Sequence, residues 1–405
     1  MYFRILRTIT VPTLILGVGL AIPAFAQSQL PPRPNVVVNL AALPANGQQP
    51  GNSSLVGFTA SNAKGRKLLE VTPDQQIEIS PDGKSELMAD SANTQSGDSL
   101  SFGPIGQKLT SIPVDSDQHI LWSAFSPDGR FLTFTSASLD SEAWVLGLVE
   151  ISSGNRVEFA GDFGDPTKGP FPGVANAVAW SADGKRLFVQ NYQPFSATGN
   201  FDSLYALDIS GIHFDKPGRG PFPSATRLLK DGEEISNFAI SDDGSKLAVS
   251  FASNASSSSG AEQPLPNTVS IRDLNSNVEI MSYKPDSGKA IAYPLNWTPD
   301  GQKLVFATGI YQDATFSGNA NLIVADVSSK QVTTTPLSTD DPHSEYEDAA
   351  VCGDTLFYTT SKSTAPDEAD TATLYSAPLS DLKTAAKLQS AWYINVLGCV
   401  ADTGK

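Results

Sequence analysis

An all-β propeller of seven four-stranded blades is the fold this sequence predicts, and three observations predict it. A turn phrase recurs with a strand behind it: FSPDGRFLTFTS from Phe125, WSADGKRLFVQN from Trp180, ISDDGSKLAVSF from Ile240 and WTPDGQKLVFAT from Trp297. The turn glycines Gly83, Gly129, Gly184, Gly244 and Gly301 are 46, 55, 60 and 57 residues apart, a period and variability that suit a propeller blade. Between the turns lie short runs rich in β-branched and aromatic residues, with no amphipathic helical period beyond the extreme N-terminus.

Each element has a local cause. Ser or Thr opens the turn and can bond back to the backbone. Pro at the second place presets φ, Asp is tolerated at the third, and Gly at the fourth supplies a positive φ. The phrase is therefore hairpin punctuation. Strands precede it (ILWSAFS, VANAVAW, ISNFAI, AYPLNW) and follow it (RFLTFTS, RLFVQNY, KLAVSF, KLVFAT). A third strand comes next (AWVLGLVEI, SLYALDI, TVSIRDL, NLIVADV), then a fourth (NRVEFA, ATRLLK, VEIMSY, QVTTTPL). Blades begin near Gln75, His119, Val174, Ile235, Ile291 and Glu345, the sixth with a shortened turn at Gly353 and Asp354. WYINVLGCVADTGK, from Trp392, is one more opening strand, and NVVVNL, SLVGFTA and RKLLEVT between Asn35 and Thr72 supply the three it lacks. The termini would thus share one composite blade and close the ring, leaving no open edge. A six-bladed ring capped by the N-terminal strands is the competing count.

Residues 1–26 have the features of a secretion signal: Arg4 and Arg7, an apolar run from Ile9 to Ile22, and small residues at Ala24 and Ala26. The domain plan is a signal peptide at 1–26, a linker at 27–34 and one propeller over 35–405, placed in the periplasm or secreted. Formal charge is -16, and loss of the leader with its two arginines would make it -18. Such acidity argues against nucleic acid and anionic membrane as partners, and no later segment is apolar and long enough for a membrane-spanning helix. Cys352 and Cys399 are the only cysteines. They fall at matching ends of innermost strands in neighbouring blades. An oxidising compartment favours a disulfide between them over two buried thiols.

The stretch from Leu109 to Asn155, LTSIPVDSDQHILWSAFSPDGRFLTFTSASLDSEAWVLGLVEISSGN, resembles the WD40-like propeller repeat of the TolB type. The resemblance holds repeat by repeat from Gln75 to Ser338. It implies the propeller alone: TolB places an α/β domain ahead of its blades, and prolyl-oligopeptidase-like enzymes add an α/β-hydrolase domain, neither of which this sequence accommodates. The repeat occurs in periplasmic interaction proteins, surface proteins and peptidase propellers, so it implies no single activity.

Motifs for chemistry are missing from the sequence: no G-x-S-x-G, H-E-x-x-H, phosphate-binding glycine loop or paired C-x-x-C. Asp115 and Asp117 lack the glycine and terminal glutamate of a calcium loop. His119 and His343 both precede innermost strands, which places them near the channel mouth. The connections after second strands are long at 192–203, 254–267, 310–321 and 361–372. In a four-stranded meander these leave on the same face as the blade-to-blade links, opposite the recurring turns. Variable loops on a rigid frame are where binding resides. The expected function is a non-enzymatic, monomeric scaffold that binds a protein or cell-envelope component through this face. Its candidate residues are Asp117, His119, Tyr192, Phe195, Glu234, Tyr311, Phe316, His343 and Glu345. No cofactor is expected. The alternatives are a lactonase-like propeller hydrolase with a divalent cation held at the channel mouth, and a propeller for glycans or small molecules. Trp180 and Trp297 are read as blade packing, with Trp122 and Trp392 left open. The two GPFP segments, at Gly169–Pro172 and Gly220–Pro223, are read as stiff connectors in different places.

Overall fold

The computed structural model describes residues 35–42, 52–59, 62–72, 75–80, 84–90, 98–105, 107–112, 114, 118–138, 143–162, 171, 174–192, 203–215, 218–230, 233–253, 265–312, 315–316, 320–337, 345–362 and 371–400. These residues form seven antiparallel four-stranded blades. Numbered in chain order, their innermost strands are Gln75–Ile79, His119–Phe125, Val174–Trp180, Glu233–Ile240, Lys289–Trp297, Glu345–Cys352 and Tyr393–Val400. Blade 7 is the composite one. Tyr393–Val400 pairs with Asn35–Ala41, and Ser53–Thr59 and Asn62–Val71 complete the sheet outward. The segments expected to be a signal peptide and linker, residues 1–34, lie outside the described residues.

The buried side chains separate into seven clusters, one at each joint between neighbouring blades, including the joints of blade 7 with blades 6 and 1. A ring with a missing or surplus blade would not give this one-to-one match, so the six-bladed count is excluded. The disulfide Cys352–Cys399 is present and ties the innermost strand of blade 6 to that of blade 7.

The recurring turn is built around two groups. In blade 2 the Ser126 hydroxyl donates to Asp128 Oδ1 at 2.7 Å and accepts from Phe131 N–H at 2.9 Å, while Asp128 also accepts from Arg130 N–H at 3.1 Å. The same bonds recur at Ser181/Asp183, Ser241/Asp243 and Thr298/Asp300. The aspartate is thus a hub of the turn and more than a tolerated residue. These bonds stabilise its ionised form: Asp183 and Asp300 lie below the usual carboxylate range, chiefly through the Ser181 and Thr298 hydroxyls.

Six of the seven innermost strands carry a bulge, between Ile120 and Trp122, Ala175 and Ala177, Ile235 and Asn237, Ala292 and Asn296, Tyr346 and Asp348, and opposite Val37 and Val38. A bulge twists a strand and re-aims its side chains, here along the strands that border the central channel.

The GPFP reading needs correction. Phe171 and Phe222 converge on one side chain, Trp144 of blade 2, with ring centroids 5.5 and 5.3 Å away. The second segment follows Gly218–Arg219, a two-residue strand that runs parallel to the outer strand Arg156–Asp162 of blade 2. The connection between the third and fourth strands of blade 3 therefore reaches back and covers the edge of its neighbour. Sequence position hid this, because one copy precedes the first strand of blade 3 and the other its fourth, yet both phenylalanines share one joint.

Candidate functional site: the loop-rich face

Strand pairing fixes which end of each blade carries the long connections. His119 lies opposite Ala137, Val174 opposite Tyr192, Glu233 opposite Ser253, Lys289 opposite Ile310 and Glu345 opposite Ser361. The start of each of these innermost strands is therefore level with the end of the second strand, from which the long segments 193–202, 254–264 and 363–370 leave. The recurring turns stand at the other end, together with the 209–224 connection of blade 3 that reaches back to blade 2.

His119, Glu234 and Glu345 all lie at this loop-rich end, at the starts of the innermost strands of blades 2, 4 and 6. His119 is exposed, and its Nδ1 lies 3.4 Å from Asp98 Oδ1. Asp98, which the sequence reading missed, is the stronger positioner: its Oδ2 accepts from Ile120 N–H at 2.8 Å and so fixes the start of that strand. Glu234 is half-buried, with Oε2 lacking a hydrogen-bond partner, and burial raises its carboxyl above the usual range. Tyr192, Tyr311 and Phe316 lie on strands at this end, the last two facing each other in register in a small hairpin. Asp117, Phe195 and His343 lie outside the described residues. Among the described residues no group of three or more His, Cys, Asp or Glu side chains could hold a metal.

Trp122 is 43% exposed, and its indole N–H donates to the Val178 carbonyl of blade 3 at 3.0 Å. Leu265 and Ile310, also exposed apolar side chains, flank the loop-rich ends of blades 4 and 5. Trp180 and Trp297 are buried in joints, as expected of packing residues.

Two innermost-strand carboxylates are half-buried and bonded to a neighbouring blade. Burial pushes Glu78 up to about 8, partly offset by a hydrogen bond from the Ser123 hydroxyl of blade 2. Burial pushes Asp348 up to about 7, although it accepts from Val396 N–H at 2.7 Å and Ala349 N–H at 2.9 Å. Around Asp348 stand Glu347, Tyr393 (pushed up to about 12, mainly by burial) and the buried Tyr346, whose hydroxyl has no partner. A carboxyl raised on folding stabilises the protein fully below its unfolded value of about 4, and that stability is lost as pH rises toward the folded value. Glu78 and Asp348 should therefore lower the melting temperature progressively from pH 4 to pH 8. Asp348→Asn, which keeps an acceptor for Val396, should flatten that slope in melts recorded across the range. A slope equal to that of the parent would contradict the assignment.

No protein-family model matches the sequence, and no curated protein matches it either. Solved structures do. The β-propeller domain of the Trilobed protease from Pyrococcus furiosus superposes with TM-score 0.54 at 13% identity, over 89% of this chain and 97% of that one. A puromycin hydrolase superposes with TM-score 0.54 at 13% identity, over 88% of this chain and 53% of that one. TolB from Acinetobacter baumannii gives TM-score 0.47 at 16% identity, over 76% of this chain and 65% of that one. The chain thus spans less than two thirds of that TolB and about half of the hydrolase. At these identities the likeness shows the fold. The Pyrococcus domain has an open velcro topology, whereas here the C-terminal strand pairs with the N-terminal one.

Proposed function

We propose that the protein is an exported, non-enzymatic propeller that binds a protein or cell-envelope component through its loop-rich face. The observation that carries this reading is the asymmetry of the ring. The recurring short turns occupy one face, with the 209–224 connection of blade 3 the one long link there among the described residues, and the connections after the second strands of blades 3, 4 and 6 are anchored on the other. The exposed apolar side chains Trp122, Leu265 and Ile310 on the channel wall and that face support it, since aromatic and aliphatic anchors carry much of the energy of protein interfaces. The disulfide suits an oxidising compartment, in keeping with the leader-like residues 1–26.

Metal content and melting before and after chelation separate the scaffold from the hydrolase alternative. The purified protein is expected to hold no stoichiometric divalent cation and to melt unchanged in chelator. A tightly held cation, with a chelator-sensitive melt that the double variant His119→Ala, His343→Ala abolishes, would favour the hydrolase instead.

A further inference from the structure

The turn face carries a second site where the recurring phrase is interrupted. The turns of blades 3, 4 and 5 overlap like shingles. A Cβ placed on Gly244 would come within 2.8 Å of Ala182 in the blade 3 turn, and one on Gly301 within 3.3 Å of Ser241 in the blade 4 turn. Blade 6 breaks the series. Its first two strands are joined by Gly353 and Asp354 alone, with Gly353 at φ +62°, as a two-residue hairpin with glycine in first place requires. The blade 5 turn is left without the neighbour that would cover it, and a cleft of about 470 Å³ opens between blades 5 and 6. Its walls include Pro299, Asp300 and Lys303 from blade 5, and Asp354, Pro378 and Leu379 from blade 6.

We propose that this cleft binds a cationic side chain, an arginine above all, presented by a loop of a protein partner. Charge and shape both favour it. The wall carries the carboxylates of Asp300 and Asp354 against the single positive charge of Lys303, so the lining is net negative, and Asp300 accepts from the Thr298 hydroxyl and Gln302 N–H. Asp354 is exposed in the lining on the blade 6 side. Pro299, Pro378 and Leu379 offer apolar surface for the aliphatic stem of a long cationic side chain. A guanidinium matches a carboxylate geometrically and dehydrates more easily than an ammonium. The site lies on the face opposite the loop-rich one and is independent of the function proposed above.

The test is titration of the isotope-labelled protein with N-acetyl-arginine methylamide, followed by amide NMR shifts, with the glutamine analogue as control. Saturable shifts confined to the neighbourhood of Gly353, Asp354, Leu379 and Ser380 are expected, with little response to the control. Asp354→Asn should weaken the affinity about tenfold, the loss of one charge-assisted hydrogen bond. Ser380→Trp, on an exposed position of the wall, should abolish binding by filling the cleft while melting stays unchanged. Shifts scattered over the acidic surface, or a titration indifferent to both substitutions, would overturn the proposal.

Discussion

The double variant Cys352→Ala, Cys399→Ala should lose about 4 kcal/mol of stability, the chain-entropy value for a bridge across 47 residues of sequence. The effect should be large because of where the bridge sits. Blade 7 is assembled from the two ends of the described chain, so ring closure carries a loop-closure entropy cost that no other blade faces. The strand Tyr393–Val400 is held by its ladder to Asn35–Ala41, by Asp348 accepting from Val396, and by the disulfide to blade 6. Without the disulfide the hydrogen bonds and the apolar cluster of Val36, Val38, Ile394 and Val396 must hold the closure alone. Denaturant unfolding of the oxidised protein and of the variant measures the difference. Hydrogen exchange should locate the loosening in residues 393–400. Equal unfolding midpoints would mean that the ladder suffices.

The second large effect is expected at Trp144. This side chain is 1% exposed and anchors the joint of blades 2 and 3, against Phe171 and Phe222. Trp144→Ala should cost about 3–5 kcal/mol, the usual range for removing a buried large aromatic. The indole N–H has no hydrogen-bond partner, so Trp144→Phe deletes no bond and should cost much less. Gly161 provides room for the ring: a Cβ there would lie 2.4 Å from Trp144 Cε2. Gly161→Ala should therefore be severely destabilising in the parent and nearly neutral beside Trp144→Ala. Additive costs in that double-mutant cycle would show that the two positions do not share the space. The same joint holds both GPFP phenylalanines, and the cycle tests their assignment as packing elements.

Blade number, the shared final blade and the cysteine pairing were legible because they depend on register. A repeat that counts off strands places Cys352 and Cys399 at equal heights whatever the loops do. The bulges were not legible, since ILWSAF has the same apolar alternation with or without an extra residue opposite Thr135 and Ser136. Asp348 and Glu78 looked like ordinary polar members of alternating strands. Their burial arises between blades, which one strand's pattern cannot show. The reach of Gly218–Arg219 back to blade 2 was hidden for the same reason. For the candidate site, sequence placed His119, Glu234 and Glu345 at the loop-rich end, where the structure has them. It missed Asp98, whose role depends on a neighbouring blade's strand 22 residues onward.

The most direct test of the binding face is cross-linked capture from envelope extracts by three forms of the protein. These are the parent, a form with 193–202 and 254–264 replaced by short Gly-Ser links, and a turn-face control, Val278→Ser. Val278 is 61% exposed at the turn end of blade 4, so the control should fold and bind as the parent does. A partner captured by the parent and the control but lost with the shortened loops is the predicted result. Equal capture by all three forms would contradict the assignment of binding to the loop-rich face.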